Sequence, residues 1–352
     1  MKMNKWTVGL AAAGVVSLAS TAQAEENSVL TALSSTVISG SVEASYVGSL
    51  SSGNRLYSDD GFVANGASLA IGSPLGEGDY SASYNVELLL GDRADVFGGG
   101  DDGLHIKNAN IGLNLPFGNG VDLTVGLFDT IVGYEVEASG ANPNVNRSYG
   151  YGLEPLTHTG LLASTSLTDS VNVSFGLANA FDSTGDANGS IDGTGNFAYL
   201  VGLEVTAPES LGFLSGSTVY VGYASGADAG ADSDDDNKLL YVGASMASPI
   251  EGVSLGVAYD DLESPDAADQ DAVALYAVWD ISDGVSLAGR YDTLDDGSDT
   301  KSMWSATLGY SVWDNVLTRL EYNYETGDGR EDSNGVARGD SSSFALNLYY
   351  QF

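Results

Sequence analysis

From Thr36 to Phe352 the chain falls into about sixteen segments of roughly ten residues in which polarity alternates residue by residue. The links between these segments alternate too, short then long. The last segment shows the pattern most clearly. In SSFALNLYYQF, Phe344, Leu346, Leu348, Tyr350 and Phe352 take every second position, with Ala345, Asn347, Tyr349 and Gln351 between them. A period of two puts all five bulky side chains on one face of a strand. The predicted strands are 36–47, 62–72, 79–90, 104–115, 121–131, 155–167, 171–181 and 196–207, then 217–225, 237–247, 252–261, 270–280, 285–294, 302–312, 315–326 and 342–352. Their length suits the roughly 9–11 residues that a tilted strand needs to cross a bilayer.

Links after even-numbered strands are short, as in SPLGEG (73–78), PFGNG (116–120), TDS (168–170) and WDN (313–315), and PESLGFLSG (208–216) is the longest of them. Links after odd strands are longer and often rich in Gly, Asp and Ser, as in GADAGADSDDDN (226–237) and GDGREDSNGVARGDS (327–341). Short turns alternating with long loops predict an all-β fold, a transmembrane antiparallel up-and-down β-barrel. Sixteen strands is the expected count, with about 14 or 18 the neighbouring even numbers. Both termini then lie on the short-turn, periplasmic side.

The N-terminus fits export. Met1 to Ala24 carries Lys2 and Lys5, an apolar run from Trp6 to about Leu18, and a closing Ala22-Gln23-Ala24. This is the layout of a cleaved signal peptide, and the apolar run is shorter than the roughly 18–20 residues of a membrane-spanning helix. The expected division is a signal peptide at 1–24, an N-terminal periplasmic segment at 25–35 and an outer-membrane barrel at 36–352. Removing residues 1–24 leaves 10 basic against 48 acidic side chains, a net charge of −38. Such a charge excludes nucleic acid as a partner, because phosphate binding needs Lys and Arg. With no cysteine there is no disulfide framework and no thiolate metal site.

The terminal aromatic strand resembles the closing strand of bacterial outer-membrane barrels, which typically end in Phe. A second resemblance lies in NPNVNRSYGYGLEPLTHTG (142–160) and FGLANAFDS (175–183), which are similar to the OmpL-like porin-2 family of β-barrel proteins. That resemblance would cover the whole mature chain and implies diffusion of solutes with no defined substrate. The outer membrane of a Gram-negative-type bacterium, with its lipid and lipopolysaccharide, is the expected surrounding. Since sixteen-stranded porins are often trimers, a homotrimer is the expected assembly.

Parity assigns the faces. Val171, Val173, Phe175 and Leu177 point to lipid and Asn172, Ser174 and Gly176 inward; likewise Val316, Leu320, Tyr322 and Tyr324 point out and Arg319, Glu321 and Asn323 in. Tyr46, Tyr84, Tyr223, Tyr259, Trp279, Trp304, Trp313 and Tyr322 are candidates for aromatic girdles. A polar interior this wide is not filled by side chains and should hold water. The expected pore-lining charges are Glu43, Glu87, Asp122, Glu204, Arg290, Arg319 and Glu321. Their acidic excess predicts a preference for cations among small hydrophilic solutes.

The longest connection, 132–154, follows the fifth strand and is the third outer loop. General porins of sixteen strands commonly fold this loop inward. Glu135, Glu137, Arg147 and Tyr149 are its candidate constriction residues, opposed charges that would set a transverse field across a narrow passage. The alternative is a solvated outer loop. Two further function classes stand beside the pore: a plugged structural or adhesin barrel, and an outer-membrane hydrolase built on His105 or His158, the two histidines of the chain. Neither histidine has a sequence-evident catalytic partner, so no catalytic residue and no enzymatic activity is assigned. Asp232, Asp234, Asp235 and Asp236 lack the spacing of an EF-hand loop and read as a solvated acidic loop. The Gly98–Gly103 stretch reads as a flexible loop, its two carboxylates unsuited to phosphate. No metal site and no cofactor is expected.

Overall fold

The computed structural model describes residues 36–50, 60–75, 80–98, 103–184, 197–227, 236–265, 267–327 and 340–352. The expected signal peptide and N-terminal segment lie outside the described residues, as do Asp232, Asp234 and Asp235 and most of the Gly98–Gly103 stretch. Sixteen antiparallel strands close into one barrel, each bonded to its sequence neighbours and the first to the last. They are β1 (Val37–Ser49), β2 (Gly61–Ser73), β3 (Ala82–Leu90), β4 (Leu104–Leu115), β5 (Val121–Asp129), β6 (Thr157–Thr168), β7 (Val171–Ala178) and β8 (Ala198–Thr206). The second half is β9 (Thr218–Gly226), β10 (Asn237–Ala247), β11 (Val253–Glu263), β12 (Gln270–Ser282), β13 (Val285–Asp295), β14 (Thr300–Trp313), β15 (Val316–Gly327) and β16 (Ser341–Gln351).

Closure leaves no unpaired edge among these strands, which is the condition for a sheet to sit in hydrocarbon. At the seam, the Gly40 N–H donates to the Phe352 carbonyl and the Phe352 N–H to the Gly40 carbonyl, each at 3.0 Å. Across it the Asn347 amide donates to Glu43 at 2.6 Å.

The predicted facing holds. On β16, Leu346, Leu348 and Tyr350 are 41–45% exposed on the outside, whereas Ala345 and Asn347 are fully buried on the inside. Trp279, Trp304 and Trp313 stand exposed on the outer face. Most strand limits fall within a few residues of the polarity pattern. β5 ends at Asp129 and β7 at Ala178, earlier than expected, because the chain turns inward there. Ile131 and Phe181 then join an interior apolar cluster.

Two local features have no counterpart in the alternation. A short helix, α1 (Asp92–Val96), follows β3 and buries Arg93 and Ala94. Leu89, Ala94 and Phe97 form a small apolar cluster that holds it. A register shift between β3 and β4 leaves Lys107 as the extra residue opposite Glu87/Leu88. A bulge of this kind re-aims side chains, and both Lys107 and Asn108 turn inward onto Glu87.

Candidate functional site

The connection between β5 and β6 folds into the barrel, and its base is pinned first. The Thr130 N–H donates to the Leu156 carbonyl at 3.0 Å, closing the two ends on each other. His158 Nε2 lies 3.1 Å from Thr130 Oγ1. Asp182, in the loop after β7, accepts from the backbone N–H groups of Leu156 and Thr157, each at 3.3 Å, and from Thr184. Burial pushes the Asp182 carboxyl up from its ordinary value, against these hydrogen bonds.

The first stretch of the loop is apolar and meets an apolar wall. Ile131 and Val132 pack with Phe128, Leu162, Leu200, Tyr220, Tyr241 and Tyr276. The Tyr134 ring stacks on Tyr276 with centroids 4.1 Å apart. Glycines on the inner wall make room. A Cβ at Gly222 would come within 2.5 Å of Val132, and one at Gly256 would overlap the Tyr134 ring. Burial, then the nearby Glu135, pushes the Tyr134 hydroxyl up to about 12.

The next stretch is polar and meets the charged wall of β13–β16 and β1. Arg290 Nη1 donates to Glu135 at 2.9 Å and Nε to Asp292 at 2.8 Å, all three side chains at or below 1% exposure. Arg290 also donates to the carbonyls of Asn146 and Arg147. Arg319 donates to the carbonyls of Ser139, Asn142 and Asn144 at 2.9–3.2 Å. Glu321 accepts from the backbone N–H groups of Val145 and Asn146. The Tyr149 N–H donates to Asp292 at 3.0 Å and its hydroxyl to Glu325 at 2.6 Å. On the far side, Arg93 of α1 grips Glu137 with two hydrogen bonds of 2.7 and 2.8 Å. Burial opposes the charge on Arg93, and contact with Glu137 outweighs it, so its proton is held more tightly than usual.

The expected site residues therefore divide. Arg290, Arg319 and Glu321 face inward but lie under the loop and bind it rather than water, with Glu43 buried beside Arg319 at 3.8 Å. Glu135 and Glu137 are each matched to an arginine in direct contact, so neither faces a distant base across open space. Arg147 donates to the carbonyls of Val145 and Glu137 and lies 5.3 Å over the Tyr151 ring. It has no carboxylate partner among the described residues. Glu87 and Asp129 share Lys107, at 3.1 and 2.9 Å. Asp122 and Glu204 sit half-buried at the short-turn end of the interior, with asparagine amides as partners.

Arg93 and Lys107 carry this arrangement as well and were not singled out by the sequence pattern, whereas Asp292 shares the parity of Arg290 and faces inward with it as expected. Among the described residues no group of three or more His, Asp or Glu side chains is placed to hold a metal ion. His158 is fully buried at the loop base, and His105 packs beside the Phe97 ring at 5.7 Å.

The profile of the family described as "Putative beta-barrel porin-2, OmpL-like" matches residues 35–352. The chain belongs to this porin family. As a porin-2 protein it is an outer-membrane porin-type barrel, and solved structures share its fold. An anion-selective porin from Comamonas acidovorans aligns with a TM-score of 0.63 at 12% identity, over 90% of this chain and 99% of that one. OmpF of Salmonella typhi, in complex with daunomycin, aligns at 0.61 and 16% identity, over 90% and 97%. OmpT of Vibrio cholerae, described in a trimer form, aligns at 0.58 and 16% identity, over 90% and 99%. At these identities the likeness establishes the fold alone. A search of curated proteins returns no match. In this porin the family-like segments 142–160 and 175–183 include the returning part of the inward loop and its base, for His158 and Asp182 both pin the loop ends.

Proposed function

We propose that this porin provides passive diffusion of small hydrophilic solutes across the outer membrane, prefers cations, and is narrowed by loop 132–154. The observation that carries the reading is the loop itself. It crosses from the apolar wall of β8–β12 to the polar wall of β13–β16 and β1, and each wall is shaped to receive it. The cation preference rests on an imbalance inside the barrel. Arg93, Lys107, Arg290 and Arg319 are held by carboxylates or by the loop, whereas Asp122 and Glu204 have amide partners. The mature charge of −38 acts in the same direction at the mouth. The short links and both termini are assigned to the periplasm, no reaction is assigned to the protein, and the expected assembly is a homotrimer.

A second reading is favoured by one observation: the loop is bonded to the wall at both Arg93 and Arg290, on separate sides of its path. A loop tied at so many points would suit a plugged structural barrel. Reconstitution of the mature protein in a planar bilayer across a KCl gradient separates the two. Stable current steps with a cation-selective reversal potential are expected. Well-folded barrel with no conductance would overturn the channel in favour of the plug. Equal anion and cation permeability at low salt would remove the cation preference.

A further inference from the structure

The outer wall of the barrel is not the same all round. At the long-loop end an aromatic belt runs from β8 to β15 through Tyr199, Tyr223, Tyr259, Tyr291, Trp304 and Tyr322, and Tyr46 carries it onto β1. At the short-turn end Trp279, Tyr310, Trp313 and Tyr350 form its counterpart on β12, β14 and β16. Such rings anchor a barrel at the headgroup level, the polar edge toward water and the body in hydrocarbon.

From β2 to β7 the belt lapses. These six strands carry a single Tyr, Tyr84 of β3, and no Trp. Charge is missing from that face too. Glu87, Lys107, Asp122 and Asp129, the charged residues of the six strands, bond to one another or to asparagine amides on the inner side. By contrast, Lys238 of β10 and Asp271 of β12 stand on the outer face at the long-loop end. What remains on β2–β7 is aliphatic, with Ile111, Val125 and Leu161 in one row across β4, β5 and β6 and the short Ala109 and Ala163 beside them. Phe62 of β2 is 90% exposed at the long-loop end and, unlike Tyr, has no polar edge to offer the headgroups. Apolar area alone does not drive association in a bilayer, since lipid is equally apolar; close packing does, and small residues permit it. The least anchored sector also loses least on leaving lipid. Alternate positions on six strands of 8–13 residues put about thirty side chains on this face, which matches the roughly 20–30 residues a side of a stable interface.

We propose that the outer face of β2–β7 is the surface through which this chain packs against further copies of itself. This interface is that of the homotrimer assigned above and rests on that reading. In a closed ring each copy turns one contiguous arc toward the symmetry axis, and β2–β7 are six neighbouring strands of the sixteen. Ile111 and Val125, paired across β4 and β5, lie at the middle of the arc. Copies of a residue at that middle meet near the axis. Copies of Leu275, 50% exposed on β12 at the opposite side of the barrel, are held far apart.

The chain has no cysteine, so I111C, V125C and L275C each supply a single thiol. Each variant is treated in outer-membrane fragments with a short bis-maleimide, and the mass of the folded, detergent-extracted assembly is measured by light scattering. I111C and V125C should give covalent dimers of the chain and L275C none, all from an assembly of three copies. A three-copy assembly in which neither middle position cross-links more than L275C would overturn this interface and leave the homotrimer standing. Folded monomer in every variant would sink the homotrimer, and the interface with it. Linkage of I111C or V125C to a different polypeptide would overturn a second copy as the occupant.

Discussion

Arg290 holds the centre of the inward loop, and replacing it with Met gives a quantitative test of how that loop is held. The guanidinium has five partners: Glu135, Asp292, Ser305 and the carbonyls of Asn146 and Arg147. Methionine fills much of the volume but leaves Glu135 and Asp292 buried without their cation. Removing one partner of a buried ion pair costs about 3–5 kcal/mol. At roughly 1.4 kcal/mol per factor of ten, the ratio of bound to released loop should fall by a factor of about a hundred to a few thousand. The ladders of β13 to β12 and β14 are backbone contacts and remain, so the barrel should stay closed while the loop loosens. Trypsin reports this directly, because Arg147 lies within the loop. R290M should be cut after Arg147 under conditions that leave wild type intact, with larger and noisier current steps. E135Q in the same chain removes one of the stranded charges and should recover part of the loss, a coupling that a double-mutant cycle measures. An R290M protein with wild-type current and an uncut Arg147–Ser148 bond would refute the view that this ion pair holds the loop.

E137Q breaks the two-bond grip of Arg93 and should weaken the far anchor by about 1–3 kcal/mol, read as faster trypsin cleavage at Arg93 and Arg147 with an unchanged barrel melting point. Gly133→Ala places a Cβ at φ +112 and 2.2 Å from a Glu154 oxygen. Strain at such a position costs roughly 1–3 kcal/mol, so the variant should fold as a barrel yet lose exchange protection at the loop. D122N with E204Q removes two charges whose partners are amides. The reversal potential should move toward zero at low salt, with less change at high salt where screening already shortens their reach.

The barrel was legible because its signals are local. Alternation along each strand marks inside and outside, and Asn347 against Leu346 or Arg319 against Leu320 can be sorted by parity alone. The inward loop was legible only as a length and a set of charges. Its contacts join residues far apart in the chain: Arg290 meets Glu135 across 155 positions and Arg319 meets Ser139 across 180. No periodicity encodes such pairs. Lys107 was hidden for another reason, since the bulge beside Glu87 shifts the parity on which facing was assigned. Gly222 and Gly256, at inward positions, are a faint sign that another part of the chain must come close.

The seam between β1 and β16 bears on how the barrel assembles. Asn347 reaches Glu43 across 304 positions, a contact that forms only when the chain is nearly complete. Closing a flexible loop of that length costs about 5 kcal/mol beyond a constant, from the (3/2)RT ln n scaling. Until it forms, β1 and β16 each present a row of unpaired amides that hydrocarbon cannot solvate. Insertion and closure must therefore be coupled. A nascent chain needs a partner for both edges while it waits, and loss of the final strand should block assembly outright instead of yielding a smaller barrel.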